Sequence, residues 1–305
     1  MSGRWRFASL GLQVAAVIFL LWAWQFAVRT VADGGIDRFA IDAHAYWAVD
    51  TGALYDGATI GELDAFLYSP VIGQLLDPMG LLPWPVFYAA WLAALFACLV
   101  LLVGPVPAAV LIFVPPIWAD ITTGNIHLFL AVAIVLGLRW PAAWAVVLLT
   151  KITPAVGILW FAARREWRSL AVALGVTVVL AMVSFAFASR LWFDWGRVLT
   201  ANTVEPPRLF GWPLALRLPV AAAVVLIGGW RGWRWTVPLA STLALPVLWE
   251  NSVTLLLAIV PLLGLGPLGH VGRSDLAGGL PRAQLWGPPK AESVQQEAPD
   301  HAQGG

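Results

Sequence analysis

Charge and cysteine are scarce in this chain. Only 11% of its 305 residues are charged, and 18 basic residues against 17 acidic ones leave a formal net charge of +1. Because no basic excess is present to attract a polyanion, nucleic acid is excluded as a partner. Cys98 is the single cysteine, so an intrachain disulfide, a cysteine-based zinc site and a thiol redox pair are excluded as well.

The sequence also lacks the motifs that bind soluble cofactors. It contains no P-loop, no dinucleotide-binding glycine motif and no metal-ligand spacing. No cofactor is therefore evident, and the sequence leaves open whether a divalent metal takes part.

Apolar residues, in contrast, make up 60% of the chain, and its mean hydropathy is +0.80. They form runs near the length needed to cross a bilayer, which predicts an all-α polytopic integral membrane protein with about 8–10 transmembrane or half-spanning helices. We expect the first run to be an uncleaved helix, because it is long for the apolar part of a signal peptide. The apolar segments are 7–28, 84–103, 106–118, 126–138, 140–150, 154–163, 169–189, 213–229, 236–249 and 252–268.

The short segments 140–150 and 154–163 predict a hairpin of broken helices. Each is too short to cross a bilayer about 30 Å thick, and Lys151 and Pro154 interrupt the run. Backbone that is not helical at membrane depth is tolerated only where protein covers it or where it lines a wet cavity. We therefore expect this break to border a site.

Polar residues gather in two places. Residues 29–83 carry many acidic side chains and few basic ones, which predicts a large first extracytoplasmic loop. Residues 269–305 are rich in Gly, Pro, Gln and Glu and lack apolar periodicity, so we expect a disordered cytoplasmic tail. The transmembrane domain is thus predicted to comprise residues 1–268.

The distribution of charge predicts the orientation. Short basic clusters, such as Arg4 with Arg6 and Arg164 with Arg165 and Arg168, alternate with acidic loops. Since basic residues in short loops stay in the cytoplasm, we expect a multi-pass protein of the cell membrane with both termini cytoplasmic. The loops that carry most polar residues then face the extracytoplasmic side.

Asp42 and Lys151 are the first candidates for chemistry. A carboxylate near the membrane surface can take a proton from a substrate hydroxyl, although a solvated acid in an acidic loop is the alternative. An ionisable group inside an apolar run is costly and suggests a function. The Lys151 ammonium suits a lipid-linked phosphate, and the alternative is a lysine that extends to the outer interface.

Other polar residues admit two interpretations each. His127, at the start of a helix, is an interfacial imidazole or part of a site, and Glu250 is a turn residue or a substrate contact. Most of the 19 tryptophans fit an interfacial aromatic belt. Trp47, Trp192 and Trp195 lie in predicted outer loops and are better candidates for stacking on a sugar.

Four stretches of the first loop resemble a known family. In chain order they are Ile41-Asp42-Ala-His44-Ala-Tyr46, Gly52-Ala-Leu54-Tyr55, Phe66-Leu-Tyr68-Ser-Pro70 and Leu81-Leu-Pro83. Together they resemble the first luminal loop of glycosyltransferase family 87, integral-membrane GT-C enzymes related to polyprenol-phosphate-mannose-dependent α-mannosyltransferases. The resemblance continues at Gly124-Asn125-Ile-His127 and Lys151-Ile-Thr-Pro154, and covers most of residues 8–268.

The resemblance implies a GT-C-like bundle and a hexosyltransferase. A polyprenyl-phosphate sugar, with mannose as the expected sugar, would be the donor, and an extracytoplasmic glycolipid or glycan the acceptor, with inversion at the anomeric carbon. Asp42 matches the acidic residue that such enzymes use as general base, and Lys151 with Arg208 or Arg217 would contact the donor phosphate. The expected substrate contacts are His44, Tyr46, Tyr68, Asn125, His127, Lys151, Arg208 and Glu250.

One departure and two alternatives stand beside this interpretation. Trp249-Glu250-Asn251 lacks the histidine that the family often has near this position. A transporter or flippase for a lipid-linked sugar would also fit the broken helices and Lys151, although we find no internal repeat of the kind that transporters often show. A scaffold subunit is the third interpretation. The sequence leaves open the acceptor, the oligomeric state and whether the protein is catalytically active.

Overall fold

The computed structural model describes residues 3–34, 39–202 and 212–270. Within these ranges all regular structure is helical and no strand occurs. Four 3-10 helices lie at Asp77–Leu81, Pro141–Ala143, Thr153–Ile158 and Glu250–Ala258. The α-helices are α1 (Gly3–Gly34), α2 (Ile41–Trp47), α3 (Pro70–Leu76), α4 (Trp84–Val103), α5 (Pro105–Leu111), α6 (Pro115–Thr123), α7 (His127–Gly137), α8 (Trp144–Thr150), α9 (Leu159–Ala163), α10 (Trp167–Ala201), α11 (Leu214–Arg231), α12 (Thr236–Leu243) and α13 (Ile259–Leu262).

Helices α1, α4, α10 and α11 are long and apolar enough to cross a membrane. The pair α5 and α6, bent by 96° at its break, provides a fifth crossing if it is counted as one broken span. Large apolar side chains such as Leu21, Val179 and Ile227 are exposed on the long helices, as expected of surfaces that face lipid. The prediction of an all-α polytopic membrane protein is confirmed.

Prolines and glycines set several helix boundaries. Helices α4, α5 and α6 each have a proline in their first turn, where the missing N–H costs no intrahelical hydrogen bond. Helix α6 ends at Gly124 and α11 at Gly232, both with positive φ, which is the usual way for a glycine to terminate a helix.

The apolar segments predict some helices well and others poorly. The segment 84–103 coincides with α4. The segment 106–118 is instead divided between α5 and α6, and 236–249 is helical only as far as Leu243. A proline at 246 contributes to this early end, because proline cannot continue a helical hydrogen-bond ladder.

Helix α10 extends well beyond the predicted segment 169–189. Its polar C-terminal part is stabilised by ion pairs of Asp194 with Arg190 and Arg197, one turn away on either side. Hydropathy alone does not detect such a helix. At Ala188 the backbone leaves the helical region, with φ −150° and ψ 61°, so α10 is kinked there.

The predicted break of the run 140–163 into two short arms is confirmed. Its first arm comprises the 3-10 helix Pro141–Ala143 and α8, and its second arm comprises the 3-10 helix Thr153–Ile158 and α9. Between the arms Lys151 is extended, with φ −133° and ψ 107°. The break therefore presents the lysine at the end of α8.

The first loop contains more helix than its polarity predicts. Helix α1 continues to Gly34, and α2, α3 and a 3-10 helix follow within the described part of residues 29–83. The division into 1–268 and 269–305, the disordered tail and the orientation of the termini stay predictions. Residues 271–305 lie outside the described residues.

Several helices that pack together position the site. Helices α6 and α7 both pack against the 3-10 helix Glu250–Ala258, and α7 also packs against α4 and α8. Helix α2 contacts α4 and α6, and its residues Ala43, Ala45 and Tyr46 are buried. The first loop is thereby held over the junction of α6 and α7.

Candidate active site

The turn from α6 to α7 fixes the position of α2. The Ala40 N–H donates to the Thr122 carbonyl at 2.8 Å, which joins the start of α2 to the end of α6. Gly124 has φ +77°, and a Cβ there would overlap Ala43. Its carbonyl accepts from Trp91 Nε1 at 2.7 Å. Glycine is therefore required both by the turn and by the close approach of α2.

Asp42 lies where α2 meets this turn. Its Oδ2 accepts a hydrogen bond from Asn125 Nδ2 at 3.0 Å, and it is also hydrogen-bonded to the Thr123 side chain. The Lys151 ammonium is close enough to favour the ionised carboxylate. Burial nevertheless outweighs these interactions and raises the pKa of Asp42 above its ordinary value. The side chain is half-buried rather than enclosed.

A second buried carboxylate belongs to the same cluster. Asp120 Oδ1 is 2.7 Å from His127 Nδ1, and His127 Nε2 is 3.2 Å from Lys151 Nζ. Both contacts are hydrogen bonds if Nδ1 carries the proton, so that Nε2 accepts from the ammonium. Asp120 and His127 have no exposed surface. This Asp120–His127–Lys151 chain holds the lysine in one position at the hairpin break.

Sequence reasoning missed Asp120 as a site residue. It is an acid that closely follows the apolar segment 106–118 and precedes His127 by seven positions. That placement was a usable signal, because a carboxylate next to an apolar run needs a partner. Its Oδ2, like Asn125 Oδ1, is buried without a hydrogen-bond partner among the described residues, which leaves acceptor atoms available in the cluster.

Two tyrosines close the cluster on the side of the first loop. Tyr46, one helical turn after Asp42, has its hydroxyl 2.9 Å from that of Tyr68. Burial and the neighbouring carboxylate of Asp42 raise the pKa of both phenols well above the ordinary value. Both hydroxyls therefore stay protonated and can donate hydrogen bonds.

His44 is not brought to Asp42. It lies on the opposite side of α2, where its Nδ1 is 2.5 Å from Asp64 Oδ1 and its ring contacts Trp47 and Trp84. The reason is helical geometry, because positions two apart on a helix point in nearly opposite directions. The sequence predicted His44 as a substrate contact close to Asp42, whereas in the structure its side chain contacts Asp64.

Three further candidates lie apart from the Asp42 cluster or outside the described residues. Glu250 is exposed at the start of its 3-10 helix, one residue before the buried Asn251. Arg208 lies outside the described residues. Arg217 is buried, and its guanidinium donates to the carbonyls of Trp212, Leu243, Leu245 and Pro246. These bonds join the start of α11 to the end of α12 and the chain that follows it, so a contact of Arg217 with the donor phosphate is not supported.

Replacing Arg217 by Leu is expected to destabilise the protein by roughly 3 kcal/mol, because several buried carbonyls lose a charged donor. The decrease in unfolding temperature in detergent measures this loss. The unfolding temperature of Arg217→Lys should lie between those of the unchanged protein and Arg217→Leu, since one ammonium cannot replace all the hydrogen bonds of the guanidinium. An unchanged unfolding temperature in Arg217→Leu would contradict this structural role.

The three tryptophans proposed for stacking all have their indole N–H engaged. Trp47 donates to Leu82 O, Trp195 to Leu67 O and Trp192 to Ser184 Oγ. Trp195 thus attaches α10 to the segment that precedes Tyr68. Among the described residues no group of three or more His, Cys, Asp or Glu side chains is arranged to hold a metal ion.

A family model described as glycosyltransferase family 87 matches residues 66–260. The matched region contains Tyr68, Asn125, His127 and Lys151, and it begins after Asp42. No curated protein and no solved structure matches the chain significantly.

Proposed function

The chain belongs to glycosyltransferase family 87 and is a membrane glycosyltransferase, and from this premise we propose that it transfers a sugar from a polyprenyl-phosphate donor to an extracytoplasmic glycolipid or glycan. Mannose is the sugar that we expect. The observation that carries the proposal is that one polar cluster at the start of α7 holds both groups, because Asn125 donates to the Asp42 carboxylate and His127 contacts Lys151 Nζ. A carboxylate and an ammonium from distant parts of the chain are thereby brought into the same cluster.

Asp42 is suited to the role of general base. In its ionised form, a carboxylate with a raised pKa is a better proton acceptor than an ordinary one. Asn125 and Thr123 hold the carboxylate in one orientation. The half-buried position leaves room for an acceptor hydroxyl to reach it.

Lys151 is suited to bind the donor phosphate. Negative charge develops on that group as it leaves, and a cation already held in place stabilises the charge without reorganisation. Asp120 and His127 supply this positioning through the hydrogen bonds that end on Nζ. One hydroxyl of the Tyr46–Tyr68 pair donates to the other, so the pair has one proton left to donate to a sugar oxygen next to Asp42.

The proposed reaction is a single displacement. The acceptor oxygen forms a bond to the anomeric carbon while the bond between that carbon and the phosphate oxygen breaks. Asp42 takes the proton of the acceptor hydroxyl, and the electron pair of the broken bond leaves with polyprenyl phosphate. Because the acceptor attacks opposite to the leaving group, the anomeric configuration is inverted.

Purified protein in lipid vesicles tests this function. With polyprenyl-phosphate-mannose and a mixed glycolipid extract as acceptor, we expect mannosylated products whose new glycosidic bond has the inverted configuration, as read by mass spectrometry and NMR. Nucleotide-linked mannose should give no product, because the proposed phosphate contact is to a lipid-linked monophosphate. Movement of the donor across the bilayer without any new glycosidic bond would instead favour the flippase interpretation.

A further inference from the structure

A groove lies beside the active-site cluster. Its volume is about 530 Å³, and it is bounded on one side by the turn Thr51–Asp56 and Gln74, and on the other by residues 187–194 of α10. Neither wall contributes a side chain to the Asp42 cluster. The groove is therefore a separate feature that the proposed chemistry does not use.

The kink in α10 shapes this groove. At Ala188 the backbone dihedrals leave the helical region, and Gln74 Nε2 donates to the Ser184 carbonyl, one turn before the kink, at 3.5 Å. Beyond the kink, Trp195 Nε1 donates to Leu67 O at 3.1 Å, which holds the second half of α10 against the first loop. The kinked residue Ala188 and its neighbours Phe187 and Arg190 thus form part of the wall that faces the turn Thr51–Asp56.

The two ends of the groove differ in polarity. Phe187, which is 86% exposed, continues the apolar surface of the membrane-spanning part of α10. The other lining residues include Asp56, Arg190 and Asp194. A ligand that fits both ends has a hydrocarbon portion in the lipid and a polar head group in the groove.

The charges indicate which head group this is. The Asp194 carboxylate is paired with both Arg190 and Arg197, which leaves Asp56 as the lining carboxylate that forms no ion pair among the described residues. An unpaired carboxylate repels a phosphate but accepts hydrogen bonds from the hydroxyls of a sugar. The lining thus favours an uncharged sugar head group over the phosphate of the donor.

One residue connects the groove to the cluster. Tyr55 lines the groove, and its hydroxyl donates to the Tyr68 carbonyl at 2.7 Å. The Tyr68 hydroxyl in turn contacts Tyr46, one turn from Asp42. A sugar in the groove would consequently lie next to the wall of the Asp42 cluster.

We infer that this groove binds the head group of a membrane-embedded neutral glycolipid, the acceptor of the reaction, which enters from the lipid along the kinked face of α10. This inference rests on the proposed sugar transfer, because it assigns a place to that reaction's second substrate. It restricts the acceptor to a lipid-anchored sugar instead of a soluble glycan.

Photo-crosslinking tests the groove without requiring turnover. The probe is a hexosyl-diacylglycerol with a diazirine on the hexose, incorporated into vesicles that contain the full-length protein. We expect labels on residues 51–56 and 187–194, and competition by excess hexosyl-diacylglycerol but not by diacylglycerol without the sugar. Asp56→Asn should reduce this sugar-dependent labelling about tenfold, since it removes a charged hydrogen-bond acceptor. Ala53→Trp should reduce it at least as much by filling the groove.

Glu62→Gln is the matched control, because it changes an exposed acid of the same loop that does not line the groove; its labelling should be unchanged. Labels spread evenly along α10, or equal competition by diacylglycerol, would overturn the inference. Sugar transfer with no labelling of the groove would support the proposed function and reject the groove as the acceptor-binding site. Sugar-dependent labelling without any transfer would reject the proposed function and, with it, the groove's role as the acceptor site.

Discussion

Replacing Asp42 by Asn is expected to lower the rate of sugar transfer by about 10²- to 10⁴-fold, the range lost with a general base. The amide keeps the size of the side chain and can still contact Asn125 and Thr123, but it cannot take the proton of the acceptor hydroxyl. Initial rates with polyprenyl-phosphate-mannose measure the effect. The unfolding temperature should change little, because no buried cavity is created.

Glu62→Gln is again the control, since it makes the same chemical change at an exposed acid of the first loop. Its rate should match that of the unchanged protein. Full activity in Asp42→Asn would remove Asp42 from the role of base and leave the sugar transfer to be explained by another group.

The pH dependence provides a separate check on Asp42. The base must be ionised, so kcat/KM should fall as the pH falls through the raised pKa of Asp42. Asn125 donates a hydrogen bond that favours the ionised form. Asn125→Ala should therefore raise this pKa further and move the acidic limb of the profile to higher pH. If the acidic limb of the kcat/KM profile is at the same pH in Asn125→Ala as in the unchanged protein, Asp42 is not the group that titrates.

Replacing Lys151 by Met is expected to reduce kcat by about 10²- to 10³-fold, comparable to the loss of one preorganised donor at a developing charge. Methionine has a similar length and tolerates an apolar environment, so the ammonium is the main loss. The donor KM should rise as well, whereas the acceptor KM should change little. Steady-state kinetics with each substrate varied in turn separates these parameters.

Asp120→Asn tests whether Asp120 positions Lys151 through His127, without contacting the lysine itself. The amide oxygen can still accept from His127 Nδ1, but it provides no charge to hold the chain of hydrogen bonds in one arrangement. We expect a smaller loss than in Lys151→Met, confined to kcat and the donor KM. A loss in Asp120→Asn with both KM values unchanged would indicate a purely structural role for Asp120.

Arg231→Met is the control for Lys151→Met and Asp120→Asn. It removes an exposed positive charge that lies near Trp230 and Trp233 instead of near the site. Its kinetics should be unchanged. Wild-type kinetics in Lys151→Met would reject the contact with the donor phosphate, while the role of Asp42 would still be tested by its own variant.

The sequence by itself determined the class of the protein and several of its elements. Long apolar runs require helices that satisfy their own backbone hydrogen bonds in lipid, so the membrane class and the boundaries of α4 follow from composition and periodicity. The lysine within 140–163 likewise pointed to the hairpin break, because an ionisable group and a proline together interrupt an apolar run. The short stretches in the first loop were sufficient to suggest the family.

Only the tertiary structure decided which polar residues share a site. Asp120 joins Lys151 through His127 because α6, α7 and the hairpin pack together, and no local pattern encodes that contact. His44 leaves the cluster because helical geometry directs it away from Asp42, towards Asp64. Arg217 binds backbone carbonyls instead of a substrate. For Asp120 and Arg217 the cost of burying a charge is met by contacts that form only when the chain folds.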